Sequence, residues 1–274
     1  ASNKTAYGVR RRYLLGSQLD TVMNYPFRDA ILGFLLGGDP RNFAETVESI
    51  CENYPPQCLR LLMNHIGTHD TERALTILGG EPAGNRGREW QAAQRLSPEQ
   101  RATGLKRLRL ASLLQYILPG VPCIYYGDEA GMEGYRDPFN RACYPWGRED
   151  RELIQFHRDM IAIHKGNREL IDGSLKFLAN DYQLLCYGRF TDREKTVVAV
   201  NNSDQTKMVE LSVWELGISR SREARFKQLI VTGDFGYSLI KKIHVCKGGV
   251  VRMRVPSHGA MVIKCVVDKD RRND

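Results

Sequence analysis

The chain has no apolar run near the roughly eighteen residues that a membrane span needs, so no membrane partner is expected. It has no C-x-x-C pair, no internal repeat and no low-complexity stretch before the charged segment Asp268 to Asp274, which reads as a frayed end. Its seven cysteines, Cys51, Cys58, Cys123, Cys143, Cys186, Cys246 and Cys265, are odd in number and show no paired spacing. That argues against metal ligation and against a disulfide framework, and no metal or cofactor is expected. Cys123 and Cys265 lie inside apolar strand-like runs, where a thiol acts as a small hydrophobe; this use of cysteine points to a reducing cytoplasm. Ala1 opens no signal-like segment. The net charge of +8 is spread along the sequence, and no nucleic-acid motif accompanies Arg10-Arg11-Arg12 beside Tyr13. A solvated helix face is the preferred reading of that cluster, and no nucleic-acid partner is expected.

What is present divides into two kinds of pattern. A chain of 274 residues is long enough for two domains, and the boundary falls near Leu170. Residues 1–170 read as strand-then-helix units. Leu19 to Tyr25 is a strand candidate ended by Asn24-Tyr25-Pro26-Phe27, followed by a helix over Arg28 to Leu36 and another over Phe43 to Cys51. The run Leu59 to Leu75 is read as an apolar strand that empties into a polar tip, His69-Asp70-Thr71-Glu72-Arg73, with Thr71 opening a helix. Glu81 to Trp90 reads as a loop. Ser97-Pro98-Glu99-Gln100 opens a helix to about Leu118, Val121 to Tyr126 is the next strand, and Arg151 to Gly166 is an amphipathic helix carrying His157 and His164, taken as ordinary surface or core residues. Such units in a row predict parallel strands with right-handed crossovers.

From Leu175 onward, short strand-like runs end at turn signals such as Asn180-Asp181, Gly233-Asp234, Gly248-Gly249 and Pro256-Ser257-His258-Gly259. The runs are Leu175–Leu178, Gln183–Phe190, Thr196–Asn201, Met208–Val213, Phe226–Val231, Val250–Val255 and Ala260–Val266. Residues 171–274 are therefore predicted to form an all-β, antiparallel sandwich.

Four ordered stretches resemble the α-amylase family of glycoside hydrolases. Asn64 to Arg73 is similar to the segment after its barrel strand seven, where a His-Asp pair stands, and Leu118 to Glu129 resembles its strand-eight region. Asp20 to Phe27 resembles strand six of the cyclomaltodextrinase, neopullulanase and maltogenic-amylase branch, and Asp137-Pro138-Phe139-Asn140-Arg141 with Pro145-Trp146 fits the same branch. Cys143 departs from the small residue or Pro often found there. The resemblance implies an incomplete (β/α)8 barrel of strands six to eight, followed by the β-sandwich. It also implies retaining hydrolysis of α-1,4 glucosidic bonds in maltooligosaccharides or cyclomaltodextrins.

Retaining hydrolysis needs two carboxyl groups about 5 Å apart. In the family these follow strands four and five, and the Asp after strand seven stabilises the transition state; Asp70 is its counterpart. The family's acid Glu precedes the segment matching Ala1-Ser2-Asn3-Lys4, so the chain is expected to begin just after it and to be catalytically incomplete alone. The resemblance makes His69, Arg73, Asn24, Tyr25 and Arg141 sugar contacts. Bland alternatives stand beside each: His69-Asp70 as a helix cap, Arg73 as support for Asp70, Tyr25 and Trp146 as packing rather than stacking. Asp128-Glu129 is read as a polar rim or as a partner for Arg141, because adjacent side chains diverge. Tyr125 and Tyr126 are expected to divide between core and cleft. Three strands cannot close a barrel, so self-association or a complementary N-terminal barrel fragment is expected at the open edges. The other readings are a non-catalytic barrel relative acting as a binding scaffold, and a carbohydrate-binding β-sandwich, the weaker because Tyr182, Tyr187, Trp214 and Tyr237 are scattered.

Overall fold

The computed structural model describes residues 11–266, with side chains from Tyr13 onward. The expectations for Ala1 to Arg10, for the side chains of Arg11 and Arg12 and for the segment Asp268 to Asp274 lie outside those residues. The chain forms two compact units, one running through Gly38 and then Asn42–Lys165, the other made of Asp39–Arg41 and the residues from Gly166 onward.

In the first unit three very short parallel strand segments lie side by side. Met23 bridges Met63 in parallel, and β1 (Met63–Asn64) pairs with β2 (Val121–Pro122) in parallel register. Backbone bonds extend this seam: Asn24 N donates to Met63 O at 3.0 Å, Val121 N to Leu62 O at 2.7 Å and Cys123 N to Asn64 O at 2.7 Å. Helices α1 (Tyr25–Leu35), α2 (Pro40–Asn53), α3 (Pro56–Leu61), α4 (Ala74–Gly79), α5 (Arg88–Ala93), α6 (Pro98–Ile117) and α7 (Arg151–Gly166) accompany it.

The sequence reading of α6 and α7 agrees with the structure. Ser97 accepts from Gln100 N while Gln100 Oε1 accepts from Ser97 N, a reciprocal cap that satisfies two otherwise unpaired amides. Elsewhere the structure corrects it. Helix α1 begins at Tyr25, not Arg28, because Asn24 caps Phe27 N and Pro26 suits a helix's first turn as well as it ends a strand. Leu59–Leu61 belong to α3, so the seventh strand contracts to two residues. Thr71 does not open α4: its hydroxyl is bonded to Thr68 and the helix starts after Arg73 with no side-chain cap. Arg88–Ala93, in the expected loop, is helical.

The second unit begins with α8 (Arg168–Asp172). Among the described residues nine strands follow, β3 (Ser174–Asp181), β4 (Leu184–Phe190), β5 (Lys195–Asn201), β6 (Lys207–Ser212), β7 (Ala224–Gly233), β8 (Gly236–Ser238), β9 (Ile243–Lys247), β10 (Val250–Val255) and β11 (Gly259–Val266). Their order is β3-β4-β5-β11-β7-β9-β10-β6, with β8 beside β7, and every pairing is antiparallel. The end strands β3 and β6 come into contact, so the path bends over one core containing Val197, Val209, Phe226, Cys246, Met253 and Ile263. This is the expected all-β unit. The sequence reading missed β8, which has three residues, and β9, whose aliphatics Ile243 and Val245 face outward while Cys246 faces in.

Phe226 is fully buried and Phe235 fully exposed. Phe226→Ala is expected to lower the stability of the second unit by about 3–5 kcal/mol in urea unfolding, whereas Phe235→Ala is expected to change it by less than about 0.5 kcal/mol.

Candidate active site

Two amide side chains tie the three parallel segments together at their seam. Asn24 Nδ2 donates to Asn64 Oδ1 at 2.9 Å, and Asn64 Nδ2 donates onward to Pro119 O at 3.0 Å. From α6, Gln115 Nε2 donates to Asn64 O at 3.0 Å and Cys123 O at 2.8 Å. Buried amides are costly unless bonded; here they fix where the chain after β1 leaves the sheet. That chain runs through His65, Ile66 and Gly67, and Arg28 Nε of α1 donates to Ile66 O at 3.0 Å.

Gly67 lies against Asp128. A Cβ at position 67 would come within 2.2 Å of Asp128 Oδ2, so no larger residue fits without displacing that carboxylate. Asp128 is buried and pairs with the fully buried Arg73, Nη1 to Oδ1 at 3.2 Å; Arg73 also donates to Tyr126 O. The rest of the guanidinium is covered by the rings of Tyr125 and Tyr126, 4.3 and 4.7 Å from Arg73 Cζ. Burial pushes the Asp128 carboxyl up to about 7, against the pull of the Arg73 charge and hydrogen bond.

Between these anchors the chain makes a tight polar turn. Asp70 N donates to Thr68 Oγ1 at 3.2 Å, and Thr68 N to Thr71 Oγ1 at 3.2 Å. The buried Asn140 clamps the turn from the other side, its Nδ2 lying 2.8 Å from both His69 O and Thr71 O, and Arg141 Nε donates to His69 O at 3.2 Å. The clamp residues sit on the 3-10 turn Phe139–Arg141, so the loop after β2 holds the loop after β1. Arg73 N donating to Gly134 O at 2.9 Å adds a backbone tie between the same loops.

The turn presents His69 and Asp70 outward. Their side chains are 57 % and 61 % exposed, with His69 Nε2 at 3.1 Å from Asp70 Oδ1. A carboxylate held beside an imidazole on a rigid turn can accept hydroxyl hydrogen bonds and stabilise nearby positive charge. Arg141 is also exposed, with Asp137 at 3.2 Å, which replaces the expectation that Asp128 or Glu129 would pair with it. Glu129 instead accepts from Gly127 N at 2.7 Å. Tyr25 is half-buried and packs edge-on against His65, ring centroids 4.5 Å apart. Trp146 is 81 % exposed beside Tyr144. Tyr126 is the more exposed of the tyrosine pair and donates to Ala142 O at 2.9 Å.

Among the residues named from sequence, then, the turn brings together His69, Asp70 and Arg141. Arg73 and Asn24 are buried with hydrogen-bond partners inside the protein, positions that suit positioning rather than contact. Asn140 was not singled out from sequence. Its only signal there is a polar residue held in the Pro-bounded stretch Asp137 to Arg141. His157, read as ordinary, is a core residue bonded to the Tyr116 hydroxyl at 3.0 Å, and burial lowers its ring to about 4.

A family profile described as the α-amylase catalytic domain matches residues 3–169. The chain is 36% identical over 211 residues to an amylopullulanase of Thermoanaerobacter thermohydrosulfuricus, covering 73% of this chain and 14% of that protein. It is 32% identical over 207 residues to a cyclomaltodextrinase of Geobacillus thermopakistaniensis, covering 73% of this chain and 31% of the relative. The chain thus spans less than a third of the length of these curated relatives. An α-amylase of Geobacillus thermoleovorans, solved with acarbose, shares the fold with a TM-score of 0.75 at 20% identity over 98% of this chain and 52% of that one.

Arg73→Ala would leave Asp128 buried without its counter-charge, and a loss of about 3–5 kcal/mol is expected in denaturant unfolding of the first unit. His65 gives the pH dependence. It is 2 % exposed, neither ring nitrogen has a partner, and burial followed by the Arg28 charge depresses it from 6.5 to about 4. The unfolded chain binds the proton more readily, so this contribution to stability is present above pH 6.5 and is lost as the pH falls toward 4. His65→Leu is expected to reduce the loss of melting temperature between neutral and mildly acidic buffer.

Proposed function

The chain belongs to the α-amylase family of glycoside hydrolases, and from that membership we propose that it supplies strands six to eight, with Asp70 as the transition-state-stabilising carboxylate, of a retaining α-glucan hydrolase. The observation that carries the reading is the exposed His69-Asp70 pair on a turn clamped by Asn140. As the glycosidic bond breaks, positive charge grows on the sugar ring, and a fixed carboxylate that accepts the ring's hydroxyls interacts more strongly with that state than with the ground state. His69 Nε2 stands 3.1 Å from the same carboxylate and is assigned to holding it in orientation. Arg141, bonded to His69 O, and Tyr25, packed on His65, are assigned to sugar contact. Arg73 and Asn24 act through others, Arg73 by holding the two loops and Asn24 by holding the strands.

The substrates assigned are α-1,4-linked maltooligosaccharides or cyclomaltodextrins, in line with relatives named cyclomaltodextrinase and amylopullulanase. The nucleophile and the acid/base are placed on barrel strands other than the three in this chain, so the chain alone is expected to be inactive. Residues 1–170 are assigned to the barrel and 171–274 to the β-sandwich. The edges at Met23 and β2 are the places where the rest of a barrel, or a second copy, would pair. Seven free cysteines accord with a cytoplasmic location, and among the described residues no helix is long and apolar enough to cross a membrane.

The test is reducing-sugar release from maltotriose and β-cyclomaltodextrin. The chain alone is expected to release none. Joined to strands one to five of a cyclomaltodextrinase relative it is expected to become active, with Asp70→Asn lowering kcat by about a hundred- to thousandfold. Release by the isolated chain, or activity in the joined enzyme that Asp70→Asn leaves unchanged, would overturn the assignment. A non-catalytic scaffold would bind the sugars without releasing product in either form.

A further inference from the structure

The second unit carries a basic surface on residues that the proposed hydrolysis does not invoke. Alternation along β7, β9 and β10 sends Phe226, Cys246 and Met253 into the core and turns the intervening side chains to the opposite face. On that face stand Arg225 and Lys227 of β7 and Arg252 and Arg254 of β10, with Ile243 and Val245 of β9 between them. Register places Val245 opposite Arg225 and Ile243 opposite Lys227. Arg225 and Lys227 thus border the aliphatic row on one side, while on the other β9 pairs with β10 at Val250 and Val251, just before Arg252 and Arg254; Lys247 ends the row. Among β6, β7, β9 and β10 the sole acid is Glu210, and it is taken up by Arg252 at 2.7 Å.

Next to this face the chain protrudes. The segment Leu239-Ile240-Lys241-Lys242 is held along β7 by Gln228, whose N donates to Lys242 O and whose Nε2 donates to Ile240 O, both at 2.8 Å. Ile240 is 64 % exposed, both lysines are exposed, and Phe235 at the β7–β8 turn is entirely exposed. Large apolar side chains left in water at loop tips, beside Lys241 and Lys242, which have no acidic partner among the described residues, are the arrangement of an interfacial contact.

We propose that this face docks on an anionic phospholipid surface, with the cations meeting headgroup phosphates and Phe235 and Ile240 entering the interface. Charge complementarity selects the anionic leaflet. The aliphatic centre favours lipid: a single strand calls for aromatic stacking platforms, and phosphate contacts to a duplex would leave Ile243, Val245, Phe235 and Ile240 without a role. The lack of a long apolar run, from which no membrane partner was expected, bears on spanning alone; surface docking requires no span.

Co-sedimentation of the full chain with phosphatidylcholine vesicles, with and without phosphatidylglycerol, tests this. Binding is expected only with phosphatidylglycerol, and weaker as salt rises. The variant Arg225→Glu/Lys227→Glu/Arg254→Glu is expected to lose on the order of a hundredfold or more in partitioning. Phe235→Ser/Ile240→Ser, at exposed positions that leave the melting temperature unchanged, is expected to lose several-fold in vesicle binding while leaving any binding to duplex DNA unaltered. No sedimentation of the wild-type chain with phosphatidylglycerol vesicles would overturn the proposal. So would vesicle binding indifferent to the Phe235 and Ile240 changes and abolished by competing DNA, which would make the face a general polyanion site. Neither readout depends on sugar release, so the proposal and the hydrolase reading fail separately.

Discussion

The buried pair of Arg73 and Asp128 is the constraint around which the candidate site is arranged. Two charges taken out of water cost several kcal/mol each unless their geometry compensates, and the sequence around them is shaped by that requirement. Gly67 is needed because any side chain there would strike Asp128, and Gly127 because its backbone has φ +87° and its missing Cβ leaves room for Met132 and the guanidinium. Tyr125 and Tyr126 supply ring faces where further hydrogen bonds are absent. The pair joins the loop after β1 to the loop after β2. A site built from two loops needs such a lock if its side chains are to hold a fixed geometry.

Preorganisation continues outward from the lock in decreasing burial. The amides of Asn24, Asn64 and Gln115 fix the strands, and the amide of Asn140 fixes the turn; only then do His69 and Asp70 reach solvent. Buried polar groups carry the positioning and exposed ones are left for chemistry. Strand pairing contributes little here, since β1 and β2 are two residues long. The side-chain bonds carry what a longer ladder would otherwise provide.

Sequence legibility follows the same division. Features set by local chemistry were readable: the Ser97 cap with Pro98, the helix Arg151–Gly166, the alternating strands of the β unit, and the His69-Asp70 motif. Features set by long-range burial were not. The burial of Arg73 and Asn24, with partners inside the protein, is not visible in the motifs that carry them. Pro26, Leu59 and Thr71 each suit two local conformations, and the pattern around them does not choose: the structure puts Pro26 and Leu59 in helices and Thr71 in the turn. Strand β9 was hidden because its aliphatics face solvent, reversing the rule that hydrophobic alternation marks the core face. Asn140 was invisible because a clamp is defined by the carbonyls it meets some seventy residues away.

Everything at the candidate site depends on the loop after β2 holding the His69-Asp70 turn. Amide hydrogen exchange in wild type and Asn140→Ala tests it most directly. If the clamp holds the turn, the amides of residues 68–73 exchange at least about tenfold faster in the variant, while those of the helix Pro98–Ile117 are unchanged. Equal exchange across residues 68–73 would contradict it, because the turn would then hold its shape without the clamp.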